Sequence, residues 1–218
     1  MGTIRQRRGC INGMMNEKKR YRLAAAVLIG GHSTRMGRPK ESVVIEGDGR
    51  TFLDRICDEV DACADRLLCA RYLSLRREQN AQRDGYIPVE DEYDDAGPMG
   101  GIISVLTAAR RDGCDAVLVL ACDLIRYDRN EMTKICERYR GEDILMTRTD
   151  RQDLQPLASI YSAAMTDVLR SHIERKDLRI RNVLCDPLNT GWYDADNALA
   201  YENCNSLNGE VRKERQYK

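Results

Sequence analysis

A chain of 218 residues fits one α/β domain with or without tails, and 42% hydrophobic against 32% charged residues marks it as globular rather than disordered. No apolar run approaches the roughly 20 residues that span a bilayer, which excludes a transmembrane helix and reads as a soluble, cytoplasmic protein. Its 35 basic and 35 acidic side chains cancel, so no global field draws the chain onto nucleic acid or an anionic membrane, and any affinity for phosphate has to be local.

The exception to that balance is the amino terminus, where Arg5, Arg7, Arg8, Lys18, Lys19, Arg20 and Arg22 meet only Glu17. Residues 1–21 read as a solvated basic tail, or as an extension ahead of a start at Met14 or Met15, with a nucleic-acid arm as the alternative. Residues 23–29 (LAAAVLI) then form a continuous apolar run ending in Gly30-Gly31. That pattern predicts a central strand buried on both faces and a glycine loop after it, where a signal peptide would show a cleavage site.

Residues 42–45 predict a second short strand, and Gly47 and Gly49 a turn. The stretch after Thr51 predicts a helix with Leu53, Ile56, Cys57, Val60 and Ala64 on one face. The chain returns as strands over 66–70 and 86–89. An acidic loop and Gly97-Pro98-Met99-Gly100-Gly101 lead into a helix that turns Ile102, Ile103, Leu106 and Ala109 inward. The second fully apolar run, 116–121 (AVLVLA), predicts another central strand and delivers Asp123 just past its end. A helix over 129–139 and a strand over 143–147 complete the series.

Strands alternating with helices imply an α/β fold: a single three-layer, Rossmann-like domain with a mostly parallel sheet, right-handed crossovers and helices on both faces. It is expected over residues 22–210, with a carboxyl-terminal tail at 211–218. Ligands in such sheets bind beyond the carboxyl ends of the strands. After Arg151 the pattern loosens into Gln155-Pro156-Leu157, a strand to Tyr161, a helix over about 162–175 and a strand containing Trp192, with no internal repeat. Cysteines at 10, 57, 63, 69, 114, 122, 136, 185 and 204 make no Cys-x-x-Cys pair and do not cluster with His32 or His172. They read as reduced, buried thiols rather than a metal knuckle.

The segment Leu28-Ile29-Gly30-Gly31-His32-Ser33-Thr34-Arg35-Met36-Gly37-Arg38-Pro39-Lys40 carries the most chemistry. Two glycines after a buried strand let backbone pass close to a ligand, a loop rich in N–H donors can wrap an anion, and Arg35, Arg38 and Lys40 add charge. A nucleoside triphosphate needs that combination, although a plain glycine turn with exposed basic residues has the same letters. The spacing is neither the Gly-x-Gly-x-x-Gly of a dinucleotide site nor the Gly-Lys-Ser/Thr end of a P-loop. Asp123 suits Mg2+, which takes one or two carboxylates plus phosphate oxygens, and could otherwise cap the next helix.

Leu-Ile-Gly-Gly-x-Ser-x-Arg-Met-Gly-x-x-Lys resembles the signature of the glycosyltransferase-A-like nucleotidyltransferases, and within them the molybdenum cofactor guanylyltransferases. The likeness runs from about Leu23 to Asn205. It implies transfer of GMP from GTP to the phosphate of molybdopterin, giving molybdopterin guanine dinucleotide with Mg2+ as cofactor, and raises molybdoenzymes or their chaperones as protein partners. It places the backbones of Leu28, Gly30 and Gly31, with Ser33, Arg35, Met36 and Gly37 of the same loop, around the nucleotide, and Lys40 on its phosphates. Val89-Glu90-Asp91 and Gly97-Pro98-Met99-Gly100-Gly101 resemble further family segments that put Asp91 on the nucleotide, a place where a carboxylate can accept from guanine N–H groups or a ribose hydroxyl.

Glu90, Asp91, Glu92, Asp94 and Asp95 also read as an ordinary solvated acidic loop. Asp123 matches the family's metal aspartate in Cys-Asp-x-Pro, here Cys122-Asp123-Leu124-Ile125 without the proline. Gln155-Pro156-Leu157 and Asn203-Cys204-Asn205 resemble acceptor-side segments, so Asn203 and Asn205 join the binding set, while residues 68–73 (LCARYL) lack an expected asparagine. Arg35, Lys40 and Asp123 are the expected catalytic residues, stabilising charge during in-line attack on the α-phosphorus. Two alternatives are the same chemistry with CTP or a sugar phosphate, and a non-catalytic nucleotide- or cofactor-binding adaptor.

Overall fold

Two strands in which every residue is buried, β1 (Leu23–Leu28) and β4 (Ala116–Ala121), lie side by side and parallel in a seven-stranded sheet. The computed structural model describes residues 20–29, 39–149 and 153–204. β1 alternates strictly: Leu23, Ala25 and Val27 enter one core cluster and Ala24, Ala26 and Leu28 the other. A strand covered on both faces has no polar side, which is why its sequence is a continuous apolar run.

On one side of β1 lie β2 (Leu68–Leu75) and then β3 (Ile87–Glu90), both parallel to it. Beyond β4 come β6 (Ala158–Ser162), β5 (Ile144–Arg148) and β7 (Thr190–Asp194), giving the order β3-β2-β1-β4-β6-β5-β7. The chain steps outward from β1 to β3 and then returns to the opposite side of β1 for β4. Strand order therefore reverses between β1 and β4, the point where a doubly wound sheet opens a crevice above its carboxyl ends.

Helix α1 (Phe52–Leu67) and α3 (Arg129–Arg138) cover one face through Leu53, Ile56, Val60, Met132 and Ile135. The other is covered by α2 (Gly97–Arg111), α4 (Thr166–Glu174) and the short α5 (Ile180–Val183), through Ile102, Leu106, Leu169 and Val183. The α1 start is fixed by a capping box in which the Thr51 hydroxyl accepts from Asp54 N–H and the Asp54 carboxylate accepts from Thr51 N–H. Among the described residues no helix is long and apolar enough to cross a membrane.

Three local expectations need correction. Residues 42–45 add no strand to the sheet: Lys40–Ser42 is a 3-10 turn and only Val44 bridges to Thr51, because Val43 alone is buried while Val44 is 49% exposed. The strand expected at 66–70 starts two residues later and runs on to Leu75, since Tyr72 and Leu73 are core while Arg71 leans outward to Asp61. The sheet is mostly parallel as expected, with β6 alone antiparallel to both its neighbours. That strand follows β5 through a tight return in which Gln155 N–H donates to Thr147 O, and such a hairpin permits only antiparallel pairing. Of the cysteines expected to be buried, Cys69 and Cys185 are exposed.

Candidate functional site

Lys40 and Asp123 meet at the switch point. Asp123 follows Cys122, whose N–H donates to Leu28 O at 3.2 Å, so the ends of β1 and β4 are fastened just below the carboxylate. Lys40 sits in the turn after Pro39, where Val43 N–H donates to Lys40 O and Ser42 Oγ to Pro39 O. From there its Nζ donates to Asp123 Oδ2 at 2.8 Å, with the two side chains 27% and 11% exposed. In a part-buried pair desolvation offsets much of the attraction, and each member can exchange its partner for a phosphate or a metal ion.

The carboxyl-terminal segment closes over the same place. Cys204 N–H donates to Asp123 O at 3.0 Å, and Cys204 is buried with Val43 and Phe52. Asn203, one residue before Cys204 in this segment, is half-buried. Gln155-Pro156-Leu157 arrives from the other side, since Leu157 O accepts from Ala121 N–H at the carboxyl end of β4.

Asp91 follows β3, two strands out from β1. Its N–H donates to Leu75 O at 2.7 Å, and its Oδ1 accepts from Ser74 Oγ at 2.6 Å. Burial pushes this carboxyl above the ordinary carboxylate value, opposed by the Ser74 hydrogen bond and the charge of Arg76. The acidic loop is thus not uniformly solvated: Asp91 turns inward while Asp94 and Asp95 are exposed. Glu92 is pinned as well, its N–H donating to Ser104 Oγ and its carboxylate accepting from Arg170.

The Gly-Pro-Met-Gly-Gly segment is the first turn of α2, with Pro98 at its start. Gly101 in that turn approaches so closely that a Cβ would lie 2.7 Å from Ser74 Oγ and 3.3 Å from the Leu28 side chain. Leu28, Ser74, Asp91 and the α2 start therefore share one edge of the crevice. Gly30, Gly31, Ser33, Arg35, Met36, Gly37 and Asn205 lie outside the described residues; Ile29 and Pro39, on either side of the loop, flank the switch point.

Sequence reasoning missed Ser74, Arg76, Glu41 and Gln79. Gln79 ties the site together: its Oε1 accepts from Arg76 N–H, and its Nε2 donates to Ile29 O and to the Glu41 carboxylate. None of the four belongs to a motif, and only their position at the end of β2, just after it or beside Lys40 would have pointed to them.

Among the described residues no group of three or more His, Cys, Asp or Glu side chains could hold a metal ion. A single strand-end carboxylate without a protein cage fits Mg2+, which keeps most of its coordination for water and substrate phosphates.

A doubly wound sheet that sets a lysine against a strand-end carboxylate at its switch point, with a second carboxylate further along the same edge, has the layout of an enzyme acting on nucleotides. The family described as the MobA-like NTP transferase domain matches residues 25–187. The chain belongs to that family and is a nucleotidyltransferase. It is 32% identical over 143 residues to the probable molybdenum cofactor guanylyltransferase of Opitutus terrae, covering 64% of this chain and 66% of that protein. To the protein of the same description in Rhodopirellula baltica it is 26% identical over 156 residues, covering 70% and 74%. Among solved structures, molybdopterin-guanine dinucleotide biosynthesis protein A from Archaeoglobus fulgidus shares the fold at a TM-score of 0.68 and 20% identity, over 85% of this chain and 94% of that one.

Proposed function

We propose that this nucleotidyltransferase transfers GMP from GTP to the terminal phosphate of molybdopterin, releasing pyrophosphate, in the cytoplasm. The Lys40–Asp123 pair at the switch point carries the reading, because it puts a mobile cation and a candidate metal carboxylate 2.8 Å apart where a triphosphate would lie. The names of the Opitutus and Rhodopirellula relatives support guanine and the molybdenum cofactor.

In the reaction an oxygen of the acceptor phosphate attacks the α-phosphorus as the bond to the β-phosphate bridging oxygen breaks. The acceptor is already ionised at neutral pH, so no general base is required and catalysis rests on positioning and electrostatics. Lys40, with Arg35, neutralises charge on the α-phosphate and the departing pyrophosphate. The loop amides of Gly30 and Gly31, with Ser33, Met36 and Gly37, hold the phosphates against β1. Asp91 receives the base or ribose, and Asn203 with Asn205 lines the acceptor side. Asp123 would hold Mg2+, which supplies further charge neutralisation to the phosphates when bound. The product would pass to a molybdoenzyme or its chaperone.

The test is pyrophosphate release with molybdopterin and Mg2+ from each of the four nucleoside triphosphates, comparing wild type with Lys40→Ala and Asp123→Ala. The expected result is GTP-dependent turnover that falls on the order of 100-fold or more in either variant. Preference for CTP would replace guanine by cytosine, and GTP binding without wild-type turnover would make the chain an adaptor.

A further inference from the structure

Cys69 stands at an irregularity of the sheet. Leu23 pairs with Leu68 and Ala24 with Ala70, so Cys69 is the extra residue of a bulge, a feature that re-aims a side chain out of the regular alternation. The residue is exposed, near the amino end of β2, and its Sγ lies 2.9 Å from Sγ of Cys114. Cys114 is held just ahead of β4. Gly113 ends α2 at a φ of +73°, Cys114 N–H donates to Ala109 O, and the neighbouring Asp112 carboxylate accepts the Tyr72 hydroxyl from β2. The two sulfurs are thus fixed by separate elements at a separation longer than the about 2.05 Å of a disulfide bond, with little movement needed to close it.

We propose that Cys69 and Cys114 form a reversible disulfide, a modification site at the amino-terminal edge of the sheet, opposite the nucleotide crevice. Hydrogen peroxide oxidises the Cys69 sulfur to a sulfenic acid with release of one water. The Cys114 sulfur then displaces the second water, so two thiols and one peroxide give one disulfide and two waters. The order follows from access: Cys69 is exposed, whereas Cys114 is buried and burial raises its thiol pKa. A small thiol reverses the reaction by exchange.

The link would join residues 45 apart in sequence and fasten β2 to the α2–β4 turn across β1. Constraining the unfolded chain in this way raises the melting temperature of a protein of this size by on the order of 5 °C. The full chain is oxidised with a small excess of hydrogen peroxide, its remaining thiols are blocked, and it is digested without reduction for mass spectrometry. The expected product is a peptide pair joining Cys69 to Cys114, lost on dithiothreitol treatment, together with the upward melting shift in wild type alone. Cys69→Ser, at an exposed position, and Cys114→Ser should each abolish both. Recovery of Cys69 as sulfinic acid or in mixed pairings while Cys114 stays a thiol, or an equal melting shift in Cys69→Ser, overturns the proposal.

Discussion

Replacing Gly101 with alanine would put a methyl group 2.7 Å from Ser74 Oγ, 3.3 Å from Leu28 Cδ2 and 3.4 Å from Asp91 Oδ1. The last contact is ordinary and the second needs a small shift, but the first is impossible, and Ser74 is 1% exposed with little room to withdraw. Either the helix start is pushed outward, an overpacking cost of about 1–3 kcal/mol, or the serine turns and gives up its 2.6 Å bond to Asp91, worth about 1.5–3 kcal/mol. The molecule takes one cost rather than both, and alanine returns about 0.5–1 kcal/mol of helix preference. The net is about 1–2 kcal/mol, or roughly 2–8 °C in melting temperature, and the role proposed for Asp91 adds about tenfold weaker nucleotide binding as that residue loses its support. Ser74→Ala removes the obstructing oxygen, so in that background Gly101→Ala should cost about 1 kcal/mol less. The four proteins of this cycle are compared by urea denaturation and by titration with a fluorescent GTP analogue. Costs that add within about 0.5 kcal/mol would refute the packing argument. Gly100→Ala is the control: the nearest neighbours of its methyl would be Ala96 Cβ at 3.2 Å and Tyr93 O at 3.3 Å rather than Ser74 or Asp91, so any cost should fall on stability and leave nucleotide binding unchanged.

Two further outcomes follow from buried carboxylates. The folded-state pKa of Asp91 is raised by burial above its ordinary value of 3.8, so between the two values the folded protein holds a proton the unfolded chain has lost. Stability contributed by this group is present at low pH and lost as pH rises through that window. Asp91→Asn is therefore expected to melt higher than wild type at pH 7, with the difference closing below about pH 4 in melts across pH. Glu131, 2% exposed, accepts from the hydroxyls of Tyr193 at 3.0 Å and Tyr201 at 2.8 Å. Glu131→Leu leaves both hydroxyls unpaired at a cost of about 2–4 kcal/mol, measured by denaturation. The loss should extend to turnover, because Tyr201 anchors the segment that carries Asn203 to the site.

What could be read from the letters were features in which one element decides its own fate. Residues 23–28 and 116–121 can only be strands covered on both faces, and the apolar face of Leu53, Ile56, Cys57, Val60 and Ala64 after Thr51 marks a helix. Lys40 and Asp123 were legible because a motif ends in the first and a buried strand delivers the second. Less legible were features decided by neighbours. Val44 looks like strand but finds no partner beyond a single bridge, and β6 lies antiparallel because of the short return from β5, which its own residues do not encode. Ser74 and Gln79 become part of the site only through the parallel register of β1, β2 and β3, which places the Ser74 hydroxyl under Asp91 and the Gln79 amide under Ile29.

The absent proline after Asp123 has a physical substitute. A proline at position 125 would stiffen the loop by limiting the unfolded chain. Here the loop is held by contacts instead: Leu124 N–H donates to Ala121 O, Tyr127 N–H donates to Leu124 O, and Leu124 is 2% exposed in the core. Ile125 packs against the small cluster of Val43, Phe52 and Cys204, and Cys204 N–H in turn holds Asp123 O. Val43 follows the turn that bears Lys40, so a single apolar contact joins the lysine, the aspartate and the carboxyl-terminal segment. Ile125→Ala removes a half-buried side chain at about 1–2 kcal/mol, and its larger effect should fall on turnover through a loosened Lys40–Asp123 geometry. Pyrophosphate release by this variant is expected to drop about tenfold with GTP binding nearly intact. An unchanged kcat in a destabilised Ile125→Ala protein would show that the cluster holds the fold without setting the site.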